Sequence, residues 1–158
     1  RVDTAAWITD FPNLVVTRTF SKIFGLAGLR VGYALASAEI ADLMNRVRQP
    51  FNVNNLAIAA AVAALDDHLF VAESYELNRR GMEQIVAGLK RLSLEHIPSH
   101  GNFVTFRAGD GASVNLKLLK QGVIVRPIGG YGLPEWLRVT IGTEPENARF
   151  LEALDKAL

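Results

Sequence analysis

From His68 to about Leu94 the chain places apolar residues at Val71, Tyr75, Leu77, Met82, Ile85, Val86, Leu89 and Leu92. That spacing keeps one apolar face along a helix of 3.6-residue period. Helices much beyond ~25 residues are uncommon inside one compact globule. A segment this long therefore predicts two lobes with the helix between them. Before it come two apolar runs, Asn13 to Thr17 and Val31 to Ala36, the first rich in Leu and Val as a fully buried strand would be. Two helical patterns follow. One opens after Ser37 as N-cap and stops at Pro50; the other opens at Asn54-Asn55 and is alanine-rich. Beyond the long segment, "NFVTFR", "VIVRPI" and "WLRVTIG" read as strands, and "ASVNLKLLKQG" as a helix closed by Gly122. Thr143 caps a final helix whose first turn, Glu144-Pro145-Glu146, is acidic. The fold class this predicts is α/β or α+β.

Charge narrows the partners. With 17 Lys and Arg against 16 Asp and Glu, the net charge of +1 gives no general reason to bind nucleic acid or an acidic membrane. The absence of cysteine excludes disulfides, thiolate catalysis and zinc–sulfur sites, and it fits a reducing, cytoplasmic setting. His68, His96 and His100 have no partner at ligand spacing, so no metal is expected. The quietest apolar stretch, Leu56 to Leu65, is too short to span a bilayer, and "RVDTAAWITDF" lacks the order of a secretory signal.

The chemistry concentrates between the two early strands, in "TFSKIFGLAGLRVGY". Lys22 stands among Phe20, Ile23, Phe24 and Leu26, an apolar setting that would favour the neutral, nucleophilic amine able to condense with an aldehyde. Thr19 and Ser21 bring hydroxyls, Arg30 brings a planar fork suited to phosphate, and Gly25, Gly28 and Gly32 permit close approach. A surface lysine on a glycine loop, with Arg30 in an ordinary ion pair, would use the same residues. Neither G-x-x-x-x-G-K-[ST] nor G-x-G-x-x-G occurs here.

"TRTFSKIFGLAGLRVGYALA" resembles the lysine segment of the fold-type-I pyridoxal-phosphate aminotransferases, with its serine-lysine pair, glycines and arginine in place. "GVIVRPIGGYGLPEWLRVTIGT" is similar to the C-terminal segment of that family's histidinol-phosphate aminotransferases, and "PFNVNNLA" and "GNFVTFR" match its intervening landmarks in order. The resemblance implies pyridoxal 5'-phosphate bonded covalently to Lys22, which then shuttles the proton between the substrate α-carbon and the cofactor C4′. It implies that Thr19, Ser21 and Arg30 hold the cofactor phosphate. Arg138 would take a substrate α-carboxylate, and Arg126 the distal phosphate of histidinol phosphate. The implied reaction is histidinol phosphate plus 2-oxoglutarate giving imidazole acetol phosphate plus glutamate, in a cytoplasmic homodimer. Residues 1–74 would be the C-terminal part of the large cofactor-binding domain, and residues 75–158 the small C-terminal domain.

The same resemblance places an aspartate for the pyridine nitrogen and a tyrosine for the ring oxygen upstream of Arg1. The chain is thus expected to be the C-terminal part of the enzyme, unable to transaminate alone and exposing apolar edges. Related aromatic aminotransferases or a threonine-phosphate decarboxylase share the lysine loop, and a non-catalytic α/β domain is the reading from another class. Asn54 is expected to cap a helix, with Asn52 near a dimer contact. Tyr33 is expected on a strand, and Tyr131 packed under its loop.

Overall fold

The computed structural model describes residues 3–158, which divide into two compact units, one ending at Ala72 and one running from Glu73 to Leu158. Strands β1 (Val16–Thr19) and β2 (Gly32–Leu35) of the first unit form an antiparallel pair, in register from Val16 opposite Leu35 to Thr19 opposite Gly32. The buried strand expected from Asn13 starts later and is mostly exposed: on β1 only Val16 is buried. Phe11 and Leu14 are instead held in turns by bonds to Trp7 and Phe11 carbonyls at 2.9 Å each. A two-stranded ribbon also has few neighbours to bury its residues against.

Helix α1 (Ala38–Val47) begins where Ser37 Oγ accepts the Ile40 N–H at 3.4 Å, and α2 (Asn55–Asp66) where Asn54 Oδ1 accepts the Ala57 N–H at 2.8 Å. Each cap satisfies an N–H that the first turn leaves without a partner. Phe20, Val31, Ala57 and Ala61 make the small core of this unit. The long helix is real: α3 covers His68–Arg91, and the division between units falls within it.

The second unit is built on a four-stranded sheet of β3 (His96–Ile97), β4 (Phe103–Arg107), β5 (Arg126–Pro127) and β6 (Trp136–Thr140), in the order β3-β4-β6-β5 with every pairing antiparallel. "VIVRPI" pairs only through Arg126 and Pro127. Proline has no N–H to donate, so its strand stays short and at the edge. Helices α4 (Gly111–Lys120) and α5 (Glu144–Ala157) complete the unit.

Alternation decides which face is core. Val104 and Phe106 of β4 and Leu137 and Val139 of β6 are buried against Leu118, Phe150 and Leu154 and against Ile85 and Leu89 of α3. Gly81 and Gly88 let α3 approach closely, since a Cβ on either would collide with Ile141 or Leu151. Asn147, buried on α5, donates to the Gly142 carbonyl at 3.0 Å and accepts the Gly142 N–H at 2.9 Å, closing the turn after β6. The opposite face of the sheet carries Phe103, Thr105 and Arg138.

Candidate functional site

The loop between β1 and β2 folds back on itself through its own backbone. Phe20 N–H donates to the Val31 carbonyl at 3.1 Å, Leu26 N–H to the Phe20 carbonyl at 3.0 Å, and Gly25 N–H to the Lys22 carbonyl at 2.9 Å. These bonds gather three polar residues. Thr19 Oγ1 accepts the Ser21 N–H at 3.1 Å, and the Arg30 guanidinium donates to Ser21 Oγ at 3.3 Å and to the Ala27 carbonyl at 2.9 Å.

Arg30 reaches this position in a left-handed backbone conformation, φ 52° and ψ 49°. That conformation is uncommon for a residue with a Cβ and costs about 1–2 kcal/mol. Gly32 is required by close approach: a Cβ there would lie 2.6 Å from the Arg18 carbonyl oxygen. Among the described residues no carboxylate is within ion-pair distance of Arg30. Its positive charge therefore faces outward with donors to spare.

Lys22 lies on the same loop and is exposed. The apolar enclosure expected around it does not form, because its sequence neighbours point elsewhere. Phe20 turns into the unit's core and stacks obliquely on Phe24 and Tyr33, while Ile23 faces solvent. The donor set nonetheless fits a phosphorylated aldehyde: two hydroxyls and a guanidinium for a dianionic phosphate, and a primary amine for the carbonyl.

A larger open cavity of about 950 Å³ in this unit is apolar and lies beside the loop, lined by Tyr33, Phe51, Ile58, Val62 and Leu65 among others. None of Thr19, Ser21, Lys22 or Arg30 lines it. Asn54 is spent as a cap, and Asn52 Oδ1 accepts from Arg48 at 3.3 Å.

The second unit presents a different arrangement. Arg126 and Arg138 stand directly opposite each other across β5 and β6. The Arg138 guanidinium lies over the Phe103 ring, 4.7 Å from its centroid. On the same face Arg107 is neutralised: it bonds Glu135 at 2.6 Å and approaches Glu95 at 3.8 Å, and these contacts raise its pKa. Arg126 and Arg138 have no such partner among the described residues. Leu137, Val139 and Ile141 are buried while Arg138 between them is half-buried, as the alternation in "LRVTIG" predicts. Tyr131, expected to pack, is 69% exposed in the turn Gly129–Tyr131. Phe103 and the left-handed Arg30 were not legible as site features. The first needs the register of β4 on β6, and the second a backbone angle no residue type announces.

The sequence profile of the family Aminotransferase class I and II matches residues 2–154. Histidinol-phosphate aminotransferase 1 of Dechloromonas aromatica is 91% identical over 158 residues, which are 100% of this chain and 44% of that protein. The crystal structure of the histidinol-phosphate aminotransferase from Clostridium acetobutylicum matches with a TM-score of 0.90 at 27% identity, covering 98% of this chain and 48% of that one. That of the Sinorhizobium meliloti enzyme in complex with pyridoxal-5'-phosphate matches with a TM-score of 0.85 at 29% identity, covering 94% and 42%. The chain spans less than half the length of these relatives. Its sequence matches that profile almost from end to end, and the chain belongs to the class I and II aminotransferases.

Proposed function

We propose that this chain carries the cofactor-anchoring loop and the substrate-anion face of a pyridoxal 5'-phosphate-dependent transamination. The amino group would pass from histidinol phosphate to 2-oxoglutarate, giving imidazole acetol phosphate and glutamate. The observation that carries the substrate is the 91% identity to a protein of that name; the relative solved with pyridoxal-5'-phosphate supports the cofactor. When bound, the cofactor takes up the electron pair released at the substrate α-carbon.

The remaining work belongs to side chains. Thr19, Ser21 and Arg30 hold the phosphate, already linked to one another by hydrogen bonds before any ligand is considered. Lys22 would hold the cofactor through its aldehyde, and its freed amine would carry the proton taken from the substrate α-carbon over to the cofactor. Arg138 and Arg126 orient the substrates by their anionic groups, a carboxylate or a phosphate by turns. In this reading residues 1–74 belong to the large cofactor-binding domain and residues 75–158 are the small domain, a boundary supported by the division of the two units after Ala72. The assembly is a cytoplasmic homodimer acting on small molecules. Support for an apolar contact comes from Phe51, 97% exposed, and from Ile58 and Val62 nearby on the same cavity.

The test is site-selective labelling. The 158-residue chain is mixed with pyridoxal 5'-phosphate, reduced with borohydride, and the modified lysine mapped by mass spectrometry. Selective modification of Lys22, lost in Lys22→Ala and competed by inorganic phosphate, is the expected result. In Arg30→Ala the same lysine should react with an apparent affinity about tenfold weaker or more, as befits the loss of a charged hydrogen bond. Labelling spread evenly over all lysines, unchanged in either variant, would sink the assignment. Which of histidinol phosphate, phenylalanine and threonine phosphate competes for the labelled site then separates the substrate classes.

A further inference from the structure

Two arginines on one sheet face are held in opposite ways. Arg107 is fixed by a carboxylate: Nε and Nη2 both bond Glu135 Oε2, at 2.9 and 2.6 Å. Those bonds occupy the donors that an incoming anion would need. Arg138 is fixed by an aromatic face instead, its guanidinium 4.7 Å from the Phe103 centroid. A guanidinium held over a ring by its charge spends no N–H on that contact, which leaves its donors for a carboxylate or phosphate.

We infer that Phe103 is a positioning residue for Arg138, orienting its guanidinium toward substrate anions without consuming a donor. This rests on the reading of Arg138 as a substrate-anion ligand. The ring is itself braced. Phe103 Cε1 lies 3.2 Å from where a Cβ of Gly101 would be, so bare backbone packs against it. The Gly101 N–H donates to Ser99 Oγ at 3.1 Å, and the Gly101 carbonyl accepts from Asn78 Nδ2 of α3 at 3.2 Å. In register, Thr105 faces Arg138 and Phe103 faces Thr140, so ring and guanidinium meet on the diagonal of the β4–β6 ladder, within the reach of long side chains. Directly across from Arg138 stands Arg126, another cation. Without the ring, repulsion from Arg126 would favour conformers of Arg138 turned away from it.

The experiment uses the full chain labelled with ¹⁵N, reading the arginine Nε–Hε resonances during separate titrations with glutarate and with inorganic phosphate. One Nε–Hε signal, absent in Arg138→Gln, should sit upfield under the ring current of Phe103 and move on titration with either anion. Phe103→Leu should lose the upfield displacement and bind glutarate about 2- to 30-fold more weakly, the span expected for a cation–π contact. Phe103→Tyr should restore both, which a volume-filling role for the residue would not require.

Wild-type affinity in Phe103→Leu, with binding lost in Arg138→Gln, overturns the inference and leaves the anion reading standing. Unchanged binding in Arg138→Gln, or no binding of either anion by the wild type, overturns that reading and the inference with it. If Phe103→Leu does not fold, the wild-type spectrum decides. An Arg138 signal without upfield displacement overturns the inference.

Discussion

Arg126 and Arg138 are register partners across the antiparallel strands β5 and β6, two arginines set directly opposite each other at the edge of a sheet. Like charges directly opposite each other destabilise a strand pair. No carboxylate among the described residues offsets them, whereas Arg107 nearby has two. On the proposed reading, that pair takes an anion from outside the chain. Glutarate or phosphate should therefore raise the thermal midpoint at fixed ionic strength, by the equivalent of about 2.7 kcal/mol at a concentration one hundred times Kd. Arg126→Gln should raise the midpoint in anion-free, low-salt buffer and blunt the response to added anion. A variant less stable than the wild type in that buffer, with the full anion response, would contradict this account.

Arg30 makes the corresponding case for the loop. Its left-handed backbone would suit glycine, yet the position holds an arginine whose side chain bonds Ser21 and Ala27. Both Arg30→Ala and Arg30→Gly lose those bonds, but only alanine keeps the strained angle. Denaturant titration should find Arg30→Gly more stable than Arg30→Ala by about 1 kcal/mol. Both should bind pyridoxal 5'-phosphate equally poorly. Equal stability of the two variants would mean that the loop relaxes out of the left-handed conformation.

What the sequence disclosed follows the range of the interaction. Ser37, Asn54 and the Thr143–Glu146 pair are caps, formed within one helical turn, and each stands where the local pattern puts it. The long helix, the alternation around Arg138 and the mixed helix–sheet class were equally visible. The rest depended on partners distant in the chain. "VIVRPI" looks like a strand of six residues but pairs at only two, because Pro127 and a single neighbour, β6, limit its ladder. Lys22 is surrounded by apolar letters yet exposed, since the turn sends Phe20 inward and leaves the lysine outside. Tyr131 is exposed for a similar reason, on a turn with nothing over it among the described residues.

Close packing of α3 gives a contrast between glycines. A Cβ at Gly88 would meet the Leu151 side chain, whereas a Cβ at Gly28 would meet nothing within 4 Å. Gly88→Ala should cost about 1–3 kcal/mol through overpacking. Gly28→Ala should stay within about 0.5 kcal/mol of the wild type. Urea denaturation of both variants checks this. A mild Gly88→Ala would show that Leu151, the far end of a flexible side chain, moves aside.

The last dependence is on pH. The Glu146 carboxylate accepts the Thr143 backbone N–H at 2.7 Å and the Thr143 hydroxyl at 2.8 Å, and these bonds hold its pKa below the ordinary glutamate value. The unfolded chain then binds the proton more readily than the folded one, so acid favours unfolding. The stabilisation from this cap is fully present above the ordinary value of 4.5 and is lost as pH falls through the lowered one. Glu146→Gln removes the titrating group but keeps an acceptor oxygen. Its stability deficit against the wild type should therefore be largest near neutrality and shrink in acid. A ¹³C titration of the Glu146 carboxyl should show a midpoint below that of the exposed glutamates for which no such bond exists. A deficit that is constant across the acid range would mean that the cap contributes through shape alone, and that its charge is irrelevant to the start of α5.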